Sequence, residues 1–193
     1  MIDACVRGYQ LVSMLEFIES PTFTSEQRRA IYAALPGDVS RDRSHYDEMK
    51  WYPAYPANEL RKAIASIHGN DEKKVYDAIE GIGMFMADRA TNTFLRLLMK
   101  ILTPSLFAKK VPDFWTRDNR VGTMTVDTSR LNERRMEVII RGIGHLDHMV
   151  PMSAGFAKFA MTAMGTKDVK IVSKGWSLGV PAPTDGFFEI TWG

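Results

Sequence analysis

The chain has a single cysteine, Cys5, among its 193 residues. No disulfide can form within it, and nothing in it points to an oxidising compartment. It lacks any apolar stretch near the ~20 residues that a membrane span requires. No basic segment leading into an apolar run opens it, as a secretory signal would, so the expected location is the cytoplasm. Charge of one sign is missing too, the formal net charge being +2. Nucleic-acid binding by counterion release needs a concentrated basic face. The densest stretch carries Arg117, Arg120, Arg130, Arg134, Arg135 and Arg141, but Asp118, Asp127, Glu133 and Glu137 are interleaved with them. No nucleic-acid partner is expected. Also absent are a Gly-x-Ser-x-Gly elbow, a Gly-rich phosphate loop and a dinucleotide fingerprint. Gly81-Ile82-Gly83 lies inside a helical pattern, not after a strand, and carries no such signal.

What is present is an ordinary globular composition, 45% hydrophobic and 25% charged, enough for one core without staples. A single domain over 1–193 is expected, with a helical part over 1–115 and a sheet part over 116–193. Leu11, Leu15 and Ile18, widened by Met14 and Phe17, make the opening helix amphipathic. Thr24 and Gln27 stand at capping-box spacing for a second helix that stops at Leu35-Pro36-Gly37. Residues 38–50 read as a loop or a short exposed helix. Trp51-Tyr52-Pro53-Ala54-Tyr55-Pro56 reads as an extended segment packed across the helices. Asn58 is the predicted cap of the next helix, with Leu60, Ile64 and Ile67 inward. Val75, Ile79, Ile82 and Met86 mark a long buried helix, within which Gly81 and Gly83 each cost up to ~1 kcal/mol relative to Ala. Close approach of another backbone or of a ligand would explain them. Residues 93–102 are apolar nearly all round, and Thr103-Pro104 opens a short helix predicted to close by Pro112.

From residue 122 the period changes to two. Residues 122–127 and 136–141 pair as a hairpin, Ser153 opens a helix ending at Gly165, and 169–173 and 187–192 are two further strands. The predicted class is α+β: a helical layer on a four-stranded, mainly antiparallel sheet in a β-β-α-β-β block.

That block, fed by an apolar helix and a Val111-Pro112-Asp113-Phe114-Trp115 linker, resembles a fold shared by three groups. These are the heme–nitric-oxide-binding (H-NOX) domains, the vinyl-reductase-type small-molecule-binding domains and the TRAPP subunits. Trp51-Tyr52-Pro53, the helix after Met152 with Gly155, and the closing Phe188-x-Ile190-x-Trp192 are similar to an uncharacterised bacterial family within this group that lacks the heme ligand. The resemblance implies a proximal histidine on the helix before the first strand of the sheet, yet no histidine lies between Phe94 and Phe114. Met99 or Lys100 falls about where it would stand. The Tyr-x-Ser-x-Arg signature for heme propionates is also missing, although Thr128-Ser129-Arg130 occupies the matching hairpin. Heme in its usual mode is not expected, and neither is any other cofactor. The cysteines of the vinyl-reductase-type modules are absent, and Cys5 is too near the N-terminus for the acylated cysteine of TRAPP subunits.

His145-Leu146-Asp147-His148 is the most chemical-looking string, since imidazole and carboxylate both suit zinc. A metal site needs further ligands, and the other reading is a polar loop before the following helix. His68 sits at a helix end, where an imidazolium would favour the C-terminal dipole. The 12 methionines fit core filling better than an adaptable surface. The expectation is a non-enzymatic sensory or scaffolding domain, homodimeric, binding an apolar small molecule, a protein partner or both. Its pocket is predicted at Met86, Phe94, Leu98, Phe107, Phe114 and Trp115, where the resemblance places the ligand. The alternative is a metal-dependent enzyme using His145, Asp147 and His148.

Overall fold

Apolar spacing of three and four residues early in the chain, and of two late in it, produces helices first and a sheet afterwards. The structure, a computed structural model, describes residues 4–91, 102–180 and 184–193. Strand β1 (Cys5–Arg7) leads into α1 (Gly8–Glu19) and α2 (Ser25–Ala34), and a 3-10 turn at Arg43–His45 precedes β2 (Trp51–Pro53). Then come α3 (Ala54–Ser66), α4 (Glu72–Ala90) and α5 (Pro104–Asp118). The sheet block is β3 (Thr123–Asp127), β4 (Arg135–Arg141), α6 (Met149–Ala163), β5 (Lys170–Lys174) and β6 (Asp185–Thr191). The fold is α+β, with the sheet in the order β3-β4-β6-β5 and every pairing antiparallel.

Local chemistry accounts for three of the helix starts. Thr24 Oγ1 accepts from Gln27 N while Gln27 Oε1 accepts from Thr24 N, a complete capping box. Asp71 and Thr103 cap α4 and α5 in the same sense. Inward residues of the sheet (Met136, Val138, Ile140, Phe188, Ile190) are buried against the helices, and they alternate with outward neighbours that are polar except at Ile139 and Phe187.

Four expectations give way. Trp51–Pro53 is a strand paired with β1, but the helix begins at Ala54 and takes Tyr55 and Pro56 into its first turn. Proline is tolerated there because the first-turn N–H groups have no intrahelical acceptor. Asn58 therefore lies inside α3 and caps nothing locally. The 111–115 stretch is not a linker, because α5 runs through Pro112 to Asp118. Phe107, Ala108, Val111 and Trp115 bury one continuous stripe, and that packing outweighs the hydrogen bond the proline removes. The helix placed after Ser153 begins at Met149. Of the apolar run at 93–102, residues 93–101, with Phe94, Leu98, Met99 and Lys100, lie outside the described residues.

Among the described helices the most extensive contact joins α4 to α6. A Cβ on Gly83 would sit 1.8 Å from Met152 O, and one on Gly155 would sit 1.9 Å from Glu80 O. Two helix backbones meet at these residues, which accounts for a glycine in the interior of α4. No described helix is long and apolar enough to cross a membrane.

Candidate functional site

Where α4 and α6 spread from their glycine seam, α5 and the inner face of the sheet close the gap incompletely. A cavity of ≈ 80 Å³ remains, walled by Met86 of α4, by Phe107, Val111, Phe114 and Trp115 of α5, and by Met149, Met152, Phe156 and Ala157 of α6. Met124, Val138 and Phe188 of the sheet form its floor. The structure thus brings Met86, Phe107, Phe114 and Trp115 around one space, while Phe94 and Leu98 lie outside the described residues. Phe114 lies between Phe107 and Phe156, at ring-centroid distances of 6.5 and 6.4 Å, spacings at which edge and tilted ring contacts are favourable.

One wall is polar. Gln10 of α1 is 1% exposed and lines the cavity with Asp118 and Asn119. Its Nε2 donates to Asp118 O at 2.8 Å and to Asn119 Oδ1 at 3.0 Å. Asp118 O belongs to the last turn of α5, where carbonyls lack intrahelical donors. Because a carbonyl can only accept, the amide nitrogen of Gln10 must face it, which fixes which end of the amide is oxygen. Gln10 Oε1 is buried and has no hydrogen-bond partner among the described residues. Asn119 Nδ2 donates to Trp115 O (3.2 Å) and Trp115 Nε1 to Val121 O (3.0 Å), so the rest of this wall is satisfied. Tyr9, beside Gln10, donates its hydroxyl to Met86 O and joins α1 to α4 next to the site.

Sequence reasoning missed Gln10. The signal was its position: four residues before Met14 and seven before Phe17, a polar side chain on the apolar stripe of α1. Serine, asparagine or glutamine on such a stripe is a buried polar group that needs partners.

The 145–148 string does other work. Asn58 Nδ2 donates to His145 O (2.8 Å), Asp147 N donates to Asn58 Oδ1 (3.2 Å), and Arg61 Nε donates to Asp147 O (2.6 Å). Lys62 Nζ pairs with the Asp147 carboxylate at 3.0 Å. The loop is thus docked onto α3. Arg61 is fully buried, and burial lowers its pKa to about 10. His148 has a positive φ of 58°, packs its ring 6.0 Å from that of Trp176, and leaves Nδ1 buried without a partner among the described residues. Burial, and then the positive charge of Arg61, push its pKa down to about 4. Among the described residues no three His, Cys, Asp or Glu side chains gather as a metal site. His68 departs from expectation too: burial lowers its pKa, which favours the neutral ring over an imidazolium at the helix end.

With this geometry in place, comparison with solved structures is decisive for the fold. An H-NOX protein mutant from K. algicida, Fe(II) and unliganded, matches with a TM-score of 0.68 over 97% of this chain and 96% of its own, at 13% identity. An H-NOX protein from S. oneidensis in the Fe(II)NO ligation state matches at 0.62 over 97% and 99%, at 10% identity. The fold is H-NOX-like. A third structure, from work on the function of heme distortion in the H-NOX family, matches at 0.63 over 96% and 94%, with 6% identity. No protein-family model matches the chain, and no curated protein does.

A heme does not fit the H-NOX-like frame as these residues fill it. The ≈ 80 Å³ cavity lies well below the about 300–1,000 Å³ typical of small-molecule pockets, and aromatic rings occupy the junction. No histidine, cysteine or tyrosine is among the described lining residues. Arg130, in the hairpin that would face the propionates, is bonded instead to Glu133, Nε to Oε2 at 2.9 Å.

Proposed function

We propose that this chain is a non-enzymatic sensory or scaffolding domain that holds a small apolar molecule at the junction of α4, α5, α6 and the sheet. A change in occupancy would be passed to a protein partner. The observation that carries the reading is the cavity itself. Its walls come from four helices and three strands, so a bound molecule would touch every layer of the fold at once. The H-NOX-like fold supports the same reading, since one of the solved examples is an Fe(II)NO-ligated H-NOX protein. In this chain the molecule is smaller than a heme.

The domain acts in the cytoplasm as a homodimer in this reading. The outward sheet face supports an assembly surface: Ile139 and Phe187 stand side by side on it, and Val172 is 55% exposed on the neighbouring edge strand. Nothing favours a second reading built on His145, Asp147 and His148, because backbone and side-chain bonds to α3 and packing on Trp176 already engage that loop.

Native and denatured mass spectra of the freshly purified protein test the proposal. A dimer carrying a small non-covalent mass, lost on denaturation, is the expected result. A monomer at the bare chain mass, unchanged by added small apolar compounds, would contradict it.

A further inference from the structure

We infer that the outer face of the β1–β2 pair is a docking surface for an acidic segment of a protein partner, with Arg120 and Arg7 receiving its carboxylates. The inference names the chemistry of the partner in the reading above and rests on that reading only for there being a partner.

Pairing register sets this face. Val6 is fully buried, so the alternation of a strand places its neighbour Arg7 on the outer side, where it stands opposite Trp51. The chain returns to β1 after α5: Asn119 bridges to Val6, and Arg120 N donates to Cys5 O at 2.9 Å. That return brings a second cation to the same indole. The guanidinium carbon of Arg120 lies 4.2 Å from the ring centroid of Trp51, and that of Arg7 lies 4.4 Å from it. Both are within reach of a cation–π attraction.

Neither cation has an anionic partner among the described residues. Arg7 Nε donates to Arg117 O at 3.1 Å and Nη1 donates to Met49 O, both uncharged carbonyls. The Arg120 side chain stacks on the indole and makes no hydrogen bond or ion pair among the described residues. Asp118 is taken by Arg117 at 2.6 Å, and Asp47 pairs with Lys50 at 3.7 Å. Two positive charges on one ring lie within the ~10 Å over which about 0.1 M salt screens charge, so they repel one another. A carboxylate brought to them relieves this repulsion and meets the planar, multi-donor group that suits it best.

The surroundings say what carries the carboxylate. Tryptophan and arginine are enriched among the residues that dominate protein interfaces. The indole is half-buried and already holds two guanidinium groups, so it is not the open ring on which nucleic-acid bases stack. The surface also adjoins the cavity through the chain itself, because Asp118 and Asn119 line the cavity and Arg120 follows them. A partner held at Arg120 thus meets the end of α5, one wall of the ligand site.

The test is a titration of the intact protein with a capped hexaglutamate peptide, followed through the indole N–H resonances. Trp51 is expected to shift saturably while Trp115, Trp176 and Trp192 stay in place, with an affinity that falls as salt is raised. A hexaglutamine peptide should not bind. Arg120→Gln is expected to weaken hexaglutamate binding about tenfold, the effect of one charge-assisted hydrogen bond. No saturable shift at Trp51, or an unchanged affinity in Arg120→Gln, would overturn the inference. So would tighter binding of oligothymidylate or of anionic lipid vesicles than of the peptide. If Arg120→Gln fails to fold, the hexaglutamate and hexaglutamine pair on the unmodified protein still decides the question. The titration needs no cavity ligand, so its failure leaves the cavity reading standing, and an empty cavity leaves this surface standing.

Discussion

Helix α6 meets the molecule on two sides that are built in opposite ways. Toward α4 it presents Gly155, and α4 answers with Gly83, so that backbone lies against backbone with no room for a methyl group. Toward α5 and the sheet it presents Met149, Met152, Phe156 and Ala157, large and flexible groups beside a small one, and the packing leaves a cavity. Met152 serves both sides, with its carbonyl against Gly83 and its side chain at the cavity. The seam fixes where α6 sits, and the cavity exists because α6 is held there and cannot collapse onto the sheet. A void that neighbouring atoms cannot fill persists only when something rigid holds its walls apart.

The largest effect is expected from breaking the seam. Gly155→Ala puts a carbon 1.9 Å from Glu80 O, a backbone atom that cannot turn aside. The strain should exceed the ~1 kcal/mol gained in helix propensity and destabilise the protein by about 3 kcal/mol in urea unfolding. Stability within a few tenths of the unmodified protein would mean that the seam is not tight. Next comes Arg61→Met, which keeps the volume but removes the donors to Asp147 O and Asn58 Oδ1 that fasten the loop entering α6. A loss of about 2 kcal/mol is expected, because a buried carbonyl is left without its donor. An unchanged unfolding midpoint would show that the loop needs no such fastening.

The two sides of α6 also differ in how far the sequence revealed them. Gly81 and Gly83 inside an otherwise regular helical pattern announced a close approach, and Gly83 makes one with the α6 backbone. Gly81 meets only the ring of Phe17, at 3.2 Å from an added Cβ. The strand pattern, the capping box at Thr24 and the α+β layout were legible because each depends on a local period or a fixed short spacing. Met86, Phe107, Phe114 and Trp115 could be named as neighbours from the resemblance and from their place at the helix-to-sheet transition. Gln10 could not, because its partners Asp118 and Asn119 are more than a hundred residues away. The continuation of α5 through Pro112 was illegible for a related reason: tertiary burial of Val111 and Trp115 outweighs a local rule against proline. His145-Leu146-Asp147-His148 misled in the opposite direction, since composition showed ligand-type side chains while long-range bonds to Asn58 and Arg61 had already engaged the loop.

A smaller effect is expected from pH, at the N-terminal end of α6. The pKa of His148 is about 4 in the folded protein, below the ordinary value of 6.5, because the ring is buried and faces the Arg61 charge. Between these values the unfolded chain binds the proton more readily, so stability rises with pH across that window. Its full contribution is present above about pH 6.5 and is lost as the pH falls towards 4. His148→Asn, which tolerates the positive φ, should lose less stability than the unmodified protein between pH 7 and pH 4.5, by about 1–2 kcal/mol. Parallel losses in the two proteins would place the acid sensitivity elsewhere.

The smallest effect belongs to the open side. Ala157→Val, two residues from Gly155 on the same helix, adds its methyl groups next to the cavity. The change in stability should stay within about 1 kcal/mol, cavity filling offsetting the lower helix propensity of valine. A loss as large as that for Gly155→Ala would mean that both sides of α6 are equally closed.

The most direct test of the account is xenon, a probe that needs only an accessible apolar space. Methyl spectra of the protein would be recorded under increasing xenon pressure. Saturating shifts are expected at Met86, Met124, Met149 and Met152, which line the cavity, while Met14 and Met136, buried in the core away from it, stay unmoved. Shifts at none of the four, or equally at Met14 and Met136, would contradict the claim that the junction of α4, α5, α6 and the sheet is a ligand site.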